Sequence, residues 1–281
     1  MSAVRGKVAA VTGAGSGIGR AIALELAARG ARGLALSDVN EAGLEETRKA
    51  VASRGGAEVE LTKLDVSDRE AVEAYAAATA ERFGAVHQIY NNAGIAFSRT
   101  ILESEYADYE RVFGVNLWGV IHGTKAFLPH VIASGDGHVI NISSLNGFFA
   151  QGEMSHYVST KFAVRGFTET LRIEMLQAGH RVGVTVVHPG GIKTNIANSA
   201  LESAKALGLP TTEKDERRRQ TYNEKLLKMP ADQAAKIIVD GVEKDRPRVL
   251  VGNDAKAVDK LVRLASSSYP KLSVFFDKRM K

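Results

Sequence analysis

Short apolar runs alternate with longer segments of helical periodicity along most of the chain. Strand candidates, bounded by glycine or polar residues, lie at 7–12, 34–37, 58–64, 86–90, 138–142, 182–187 and 249–251. Helix candidates lie at 17–30, 40–54, 68–83, 104–133, 154–178 and 231–244. This alternation is typical of a parallel sheet that is covered by helices on both faces. We therefore predict an α/β fold with a doubly wound, seven-stranded parallel sheet.

A single domain is expected, because 281 residues can bury one sizeable core. The segment 190–230 breaks the alternation of strands and helices. It is long and charged, so we predict that it forms a lid over the substrate site. Three consecutive arginines in it, Arg217, Arg218 and Arg219, favour a solvated helix face over a phosphate site.

The net charge of +5 comes from the C-terminal part of the chain. Residues 1–200 carry 19 Lys and Arg against 20 Asp and Glu, whereas residues 244–281 carry 10 against 4. The basic extension at 253–281 can serve a subunit contact, an anionic membrane surface or solubility. We favour a subunit contact, because the apolar stripe of the extension is short. No nucleic-acid partner is predicted. The stripe consists of Val258, Leu261, Val262 and Ala265.

Several functional classes are excluded or disfavoured by composition. The chain has no cysteine, which excludes disulfides, thiolate catalysis and cysteine-ligated zinc. No apolar run approaches the roughly 18 residues of a membrane span. The first strand candidate begins at residue 7, which leaves no room for a signal peptide. A cytoplasmic protein is therefore expected.

A glycine-rich turn follows the first strand candidate. Residues 12–19 read T-G-A-G-S-G-I-G and continue directly into a helix candidate. Such a turn presents backbone N–H groups and the positive end of a helix dipole to a pyrophosphate. Glycine is needed because a Cβ would block the tight turn and the approach of the phosphates. A purely structural turn is the alternative, but the position after the first strand favours a Rossmann-type nucleotide site.

Asp38 ends the second strand candidate, about twenty residues beyond the glycine turn. A carboxylate at this place can accept hydrogen bonds from both hydroxyls of an adenosine ribose, and its charge repels a 2′-phosphate. Neither Ser16 nor Val39 offers a positive charge that would offset the repulsion. NAD is therefore predicted as the cofactor. The alternative is that Asp38 caps the helix that starts near Asn40.

Tyr157 is the one tyrosine among seven that has a lysine four residues later, Lys161. On a helix, this spacing places both side chains on one face. A free tyrosine titrates near pH 10, and a neighbouring ammonium stabilises the phenolate, which favours acid/base chemistry. Ser144 lies upstream at the end of a strand candidate, and the adjacent Ser143 is not excluded by its chemistry. An ordinary surface pair is the alternative for the tyrosine and lysine.

Together these motifs resemble the short-chain dehydrogenase/reductase superfamily. The T-G-x-x-x-G-x-G turn is followed by N-N-A-G at 91–94, Asn116, N-I-S-S at 141–144, Y-V-S-T-K at 157–161 and P-G-G-I-K-T at 189–194. The six motifs occur in the family's order over residues 6–195 and are specific as a set. One departure is His87, where many members carry an acidic residue.

The resemblance implies an oxidoreductase that interconverts a secondary alcohol and a ketone with NAD, and assembly as a dimer or homotetramer. It also implies that Tyr157 is the acid/base and that Ser144 binds the substrate oxygen. Lys161 would assist Tyr157 and bind the nicotinamide ribose, and Asn116 would hold a water of a proton relay or satisfy a break in its helix. The implied cofactor-binding residues are Gly13, Gly15, Ser16, Gly17, Ile18, Gly19, Asp38, Asp65, Val66, Asn92, Ala93, Gly94, Tyr157, Lys161, Pro189, Gly190, Ile192 and Thr194.

No metal is predicted, because the histidines form no ligand motif, and His156 and His188 are interpreted as packing or pocket residues. Apolar residues flank the catalytic motifs and favour a lipophilic substrate such as a steroid, a retinoid or a long-chain alcohol. These residues are Phe97, Leu145, Phe148, Phe149, Met154 and Ile192. The alternatives are an NADP-dependent reductase of small diketones or acetoin-type compounds, and a non-catalytic NAD-binding scaffold. The complete set of four catalytic candidates argues against the scaffold.

Overall fold

The computed structural model describes residues 3–194, 216, 220, 227–271, 273 and 274. Its centre is a seven-stranded sheet of order β3-β2-β1-β4-β5-β6-β7, in which every strand pair is parallel. The strands are β1 Val8–Thr12, β2 Gly33–Asp38, β3 Glu58–Lys63, β4 Gln88–Asn91, β5 Gly137–Ile142, β6 Val182–Pro189 and β7 Arg248–Val251. The predicted Rossmann-type, doubly wound sheet is confirmed.

Helices cover both faces of this sheet. They are α1 Gly17–Ala28, α2 Glu41–Ala52, α3 Arg69–Phe83, α4 Tyr106–Phe113, α5 Gly119–Ala133, α6 Ser155–Gln177, α7 Ala231–Glu243 and α8 Asn253–Leu264. A π-helical turn, Gly114–Trp118, joins α4 to α5, and a short 3₁₀ turn, Leu145–Gly147, follows β5. Within the described ranges, none of the helices is long and apolar enough to cross a membrane.

Two apolar clusters form the core, one on each face of the sheet. Ile22 of α1 and Ile238 of α7 belong to one cluster, while Phe127 of α5 and Leu171 of α6 belong to the other. Alternate residues of β1 contribute to the two clusters in turn, as the period of a strand requires. All five residues of β1 are therefore buried, which explains its continuous apolar sequence.

The strand order reverses between β1 and β4. The chain runs outward from β1 through β2 to β3, then returns to β4 on the other side of β1. In open parallel sheets, the crevice at the carboxyl ends of the strands beside this switch point is where ligands bind. Thr12, at the end of β1, and Asn91, at the end of β4, border that crevice.

The helix predicted at 104–133 is interrupted in the structure. The interruption is the π-helical turn, which contains Asn116. The side chain of Asn116 bonds to the main chain of Ile95 in another segment and not to the helix itself. Next to the turn, Gly119 lies so close to Val66 that a Cβ would be 2.5 Å from Val66 Cγ2. Turns of this type often occur at functional sites.

Most of the predicted lid at 190–230, with its three arginines, lies outside the described residues. Its two ends are described, and they pair with each other. Lys193 N donates to the Met229 carbonyl at 2.8 Å, and Met229 N donates to the Gly191 carbonyl at 3.1 Å. The base of the segment is therefore closed, while its role as a lid and the single domain over 1–281 remain predictions.

The first part of the basic extension packs against its own chain. Helix α8 places Asp259 2.8 Å from Arg248 of β7. Beyond this helix, the ring of Tyr269 lies against Phe149 with 5.3 Å between ring centroids, and its hydroxyl accepts a hydrogen bond from Ala150 N. The residues of the predicted apolar stripe are half-buried. The extension therefore contacts the loop that follows Ser144, and residues 272 and 275–281 lie outside the described part of the chain.

Candidate active site

The glycine turn between β1 and α1 is tightly enclosed. Gly13 has a left-handed backbone with φ of 66°, and a Cβ on it would lie 2.8 Å from Ala93 Cα. A Cβ on Gly19 would overlap the Gly13 carbonyl oxygen. Ser16 precedes α1 and makes no side-chain capping hydrogen bond. The Ser16 side chain therefore does not cap the N–H groups in the first turn of α1. The turn has no space for a side chain at Gly13 or Gly19.

Thr12 ties this turn to the end of β4. Its Oγ1 accepts hydrogen bonds from Asn92 N at 3.0 Å and from Ala93 N at 3.1 Å. The Asn92 amide donates to the Thr12 carbonyl at 2.9 Å. Thr12 belongs to the glycine motif, but its sequence position alone indicates no role for it. The structure shows that it joins the two loops on either side of the switch point.

Asp38 lies against the glycine turn. Its Oδ2 accepts from Gly15 N at 2.9 Å, and its Oδ1 accepts from Asn40 N at 3.0 Å. The cap of α2 is Asn40, whose side chain accepts from Gly43 N at 3.0 Å. The interpretation of Asp38 as the helix cap is therefore wrong. Asp38 is half-buried, and Val39 beside it is 61% exposed.

Asp65 and Val66 follow β3, the strand next to β2. The Asp65 Oδ1 accepts from Ser67 N at 2.9 Å and from Ser67 Oγ at 2.7 Å. Val66 is buried, and its carbonyl lies 3.1 Å from His122 Nδ1. These bonds fix the turn that follows the edge strand β3.

The end of β5 is tied to helix α6. Lys161 Nζ donates to the Ile142 carbonyl at 3.1 Å, and Ser143 Oγ donates to the Lys161 carbonyl at 2.8 Å. Ser144 Oγ accepts only a longer, 3.2 Å bond from Asn146 N among the described contacts. The hydroxyl of Ser143 is thus engaged in holding the backbone, which favours Ser144 over Ser143 as the reactive serine.

Tyr157 and Lys161 lie one turn apart on α6, as their spacing predicts. Lys161 Nζ is 5.5 Å from the centroid of the Tyr157 ring. Tyr157 is 9% exposed and Lys161 is 3% exposed. Burial lowers the pKa of Lys161 to about 8, because the ammonium loses its hydration. A buried amine with a lowered pKa therefore lies beside the tyrosine ring.

Asn116, the fourth candidate catalytic residue, is held near Lys161 by the loop after β4. Its Oδ1 accepts from Ile95 N at 2.8 Å, and its Nδ2 donates to the Ile95 carbonyl at 2.9 Å. A Cβ on Gly94 would lie 3.3 Å from Asn116 Oδ1 and 3.6 Å from Lys161 Nζ. The absence of a side chain at Gly94 thus lets the loop, the π-helical turn and α6 meet.

The segment after β6 lies across the glycine turn. A Cβ on Gly17 would be 3.2 Å from Thr194 Cγ2. Gly190 N donates to the Val251 carbonyl at 2.9 Å, and Gly191 N donates to Asp254 Oδ2 at 2.6 Å. Pro189 and Ile192 are buried behind the segment. Asp254 was missed by the sequence analysis, since no motif spacing links helix α8 to this segment.

In the described part of the chain, no three or more His, Asp or Glu side chains are grouped so that they could hold a metal ion. The assembled groups instead surround a crevice at the carboxyl ends of β1, β4, β5 and β6. A doubly wound sheet with a glycine turn at its switch point is the architecture of a class of dinucleotide-binding proteins.

Comparison with known families identifies the class more closely. The family model described as short chain dehydrogenase matches residues 7–205. The chain belongs to this family and is an oxidoreductase.

Three relatives illustrate how far the similarity extends. The Mycobacterium tuberculosis protein SadH, which is named as an oxidoreductase, is 53% identical over 276 residues, covering 97% of this chain and 95% of SadH. A levodione reductase of Leifsonia aquatica is 39% identical over 198 residues, covering 70% of this chain and 73% of that protein. The solved structure of a short-chain dehydrogenase/reductase from Burkholderia phymatum in complex with NAD is 33% identical and has a TM-score of 0.86, with 97% of each chain covered.

Proposed function

We propose that the protein is an NAD-dependent oxidoreductase that interconverts a secondary alcohol and a ketone. The observation that carries this proposal is the position of Lys161. Its ammonium lies 5.5 Å from the Tyr157 ring and is held by the carbonyl of Ile142, two residues before Ser144. A nearby ammonium stabilises a phenolate, so this geometry supports proton transfer at the Tyr157 hydroxyl.

The residues of the crevice fit a nicotinamide dinucleotide. The glycines at 13, 15 and 19 have no space for a Cβ, so main-chain N–H groups form the wall on which a pyrophosphate would rest. The Asp38 carboxylate would hold the adenosine ribose, Asp65 and Val66 would border the adenine, and Thr194 would cover the turn. The NAD complex of the Burkholderia phymatum relative supports this cofactor.

When bound, the nicotinamide supplies the chemistry of hydride transfer to and from the substrate carbon. Tyr157 would take the proton from the alcohol oxygen and return it when a ketone is reduced. Ser144 Oγ would donate a hydrogen bond to the same oxygen. Lys161 would stabilise the phenolate and hold the nicotinamide ribose. Asn116, whose side chain bonds to the main chain of Ile95, would hold the water of a proton relay.

A lipophilic alcohol is the substrate class that we propose. Its support is that four apolar residues flanking the catalytic motifs in the sequence are buried: Phe97, Phe148, Met154 and Ile192. The levodione reductase among the relatives favours a second candidate, which is an NADP-dependent reductase of small diketones or acetoin-type compounds. A homo-oligomer and a single domain over 1–281 belong to the same proposal.

The test is a turnover panel read by nicotinamide absorbance. We expect oxidation of menthol, cyclohexanol or testosterone with NAD, faster than the reduction of acetoin with reduced NADP. Turnover of acetoin with reduced NADP alone would favour the second candidate. Binding of NAD without turnover of any panel member would contradict the proposal and favour a scaffold.

A further inference from the structure

His188 lies on β6, immediately before Pro189, where the sequence analysis gave it no catalytic role. Its side chain is fully buried, with 0% exposure. Its Nδ1 lies 2.7 Å from the main-chain carbonyl oxygen of Ser144, 44 residues away in the sequence. A buried imidazole therefore contacts the backbone of the serine that we propose to bind the substrate oxygen.

The direction of this hydrogen bond follows from its chemistry. A carbonyl oxygen only accepts, so the Nδ1 atom of His188 carries the proton. Burial lowers the pKa of His188 to about 3, with Arg248 and Arg165 acting in the same direction and the Ser144 carbonyl and Asp259 opposing it. The ring is thus neutral near pH 7, and its Nε2 carries no proton. Nε2 is also buried without a hydrogen-bond partner among the described residues.

The turn after Ser144 is folded onto this imidazole. A Cβ on Gly147 would lie 3.1 Å from His188 Cε1 and would overlap Ser143 Oγ. The ring of Phe148 meets the imidazole edge-on, with 5.1 Å between ring centroids. Gly147 N also donates to the Ser144 carbonyl at 2.9 Å. The Ser144 carbonyl therefore receives one bond from its own turn and one from β6.

Three successive residues are each held by a different group. The Ile142 carbonyl is bound by Lys161 Nζ, the Ser143 hydroxyl by the Lys161 carbonyl, and the Ser144 carbonyl by His188. The first two contacts orient the segment relative to α6, which carries Tyr157. The bond from His188 of β6 fixes the orientation of the Ser144 carbonyl. Ser144 itself has an extended backbone, with φ of −164° and ψ of 171°.

We propose that His188 is a positioning residue for the reaction: its Nδ1–H group fixes the Ser144 backbone and thereby the direction in which Ser144 Oγ projects. This inference rests on the proposed function of Ser144. A displaced hydroxyl loses alignment with the reacting oxygen, and misplacement by about 1 Å can cost roughly 100-fold in rate. The turnover number should respond to His188, while binding of the cofactor should not.

The experiment compares two amide substitutions. In His188→Asn, the side-chain N–H can lie near the place of Nδ1, whereas in His188→Gln the longer chain moves it toward the place of Nε2. We expect kcat for menthol oxidation with NAD to fall about 10- to 100-fold in His188→Gln and to stay within about threefold of the native value in His188→Asn. The Kd of NAD should stay level in both. Equal kcat values for the two variants would overturn the inference.

A second readout needs no substrate. Hydrogen exchange of the Gly147 amide, which bonds to the Ser144 carbonyl, should be faster in His188→Gln than in His188→Asn. Equal exchange in the two variants would also contradict the positioning role. This measurement keeps the inference testable if menthol is turned over slowly.

His138 provides the matched control. It is also fully buried, lies on the neighbouring strand β5 and bonds to Thr185 Oγ1 at 2.8 Å. His138→Gln should lower stability without lowering kcat, so an equal loss of kcat there would assign the effect to general destabilisation. Tyr157→Phe distinguishes a failure of the proposed function from a failure of the role of His188. Retained turnover in Tyr157→Phe would contradict the proposed function, whereas lost turnover with a normal His188→Gln would contradict only the role of His188.

Discussion

Lys161 Nζ donates a hydrogen bond to the Ile142 carbonyl across 3.1 Å, at the end of the interior strand β5. Its burial lowers the pKa from 10.5 to about 8. In the folded protein the amine therefore loses its proton at a lower pH than in the unfolded chain. Between these two values the unfolded state binds more protons. The contribution of Lys161 to the free energy of unfolding must then rise with pH through that window.

Lys161→Met tests this linkage in the cofactor-free protein. Near pH 7 the variant avoids the cost of a buried ammonium, and this advantage should shrink as the pH rises. We expect the difference in unfolding free energy between variant and native protein to change by about 2 to 3 kcal/mol between pH 7 and pH 10. Urea unfolding at both pH values measures it. Lys125→Met, at an exposed position of α5, is the control, and its difference in unfolding free energy from the native protein should be the same at both pH values. If the difference for Lys161→Met is also the same at both pH values, the linkage is refuted.

Tyr157→Phe should keep the fold and the Kd of NAD but lose turnover by about 10² to 10⁴-fold, because only the hydroxyl is removed. Single-turnover oxidation of menthol, together with NAD titration, separates chemistry from binding. Tyr75→Phe is the control, since the Tyr75 hydroxyl donates to the Ala35 carbonyl at 2.8 Å inside the core. That variant should lose stability and keep its kcat. A loss below about tenfold in Tyr157→Phe would remove the acid/base role.

The fold was predictable because its signals are local. Most residues of the buried strands are apolar, and several helices begin at a glycine turn or a capping residue, such as Gly17 of α1, Asn40 before α2 and Asp68 before α3. Helical periodicity alone predicted one continuous helix over 104–133, and only the family resemblance placed a break at Asn116. The bond between Asn116 and Ile95, in another segment, could not be read from either signal. Asn40 and Asp38 are both plausible caps in sequence, and only the bond to Gly43 N shows which one serves α2.

The proposed site also contains both contacts that sequence spacing predicts and contacts that it does not. Tyr157 and Lys161 share a helix, so their spacing predicted their proximity. Contacts between distant segments were not accessible to such reasoning. Asp254 lies 63 residues beyond Gly191, and His188 lies 44 residues beyond Ser144. Neither pair follows a helical or strand period, so only the packing of β6, β7 and α8 brings them together.

Asp254 should contribute to cofactor binding through the segment that covers the glycine turn. Its carboxylate accepts the Gly191 N–H at 2.6 Å, and Gly191 in turn bonds to Met229 at the other end of the predicted lid. Asp254→Ala removes the bond that holds this segment. We therefore expect the Kd of NAD to rise about 5- to 10-fold, which corresponds to the loss of one hydrogen bond to a partly solvated carboxylate. NAD fluorescence quenching or calorimetry measures the change.

The control for Asp254 is Asp232, which also lies in the first turn of a C-terminal helix and bonds only to the adjacent Gln233 N among the described contacts. Asp232→Ala should leave the Kd of NAD unchanged. Equal effects of the two variants would mean that loss of a helix-terminal charge explains the result. An unchanged Kd in Asp254→Ala would remove the coupling between α8 and the cofactor.

Asp38 should determine the choice between NAD and NADP. Its carboxylate is held by Gly15 N at 2.9 Å, within the turn that would carry the pyrophosphate, and the exposed Val39 supplies no charge. A charge-assisted hydrogen bond to the ribose contributes about 1.5 to 3 kcal/mol, so we expect native kcat/KM to favour NAD at least about tenfold. A native preference for NADP would contradict this reading of the site.

The double variant Asp38→Ser/Val39→Arg removes the repulsion of a 2′-phosphate and adds a cation beside it. The ratio of kcat/KM for the two cofactors should therefore swing toward NADP, and it should be measured at fixed ionic strength because salt screens exposed charges. Asn40→Ala is the control, since it removes the true cap of α2. That variant should lose about 1 kcal/mol of stability and keep its preference for NAD. If the ratio of kcat/KM for the two cofactors changes in Asn40→Ala as much as in the double variant, the loss of stability explains the change. That result would refute the role of Asp38 in cofactor choice.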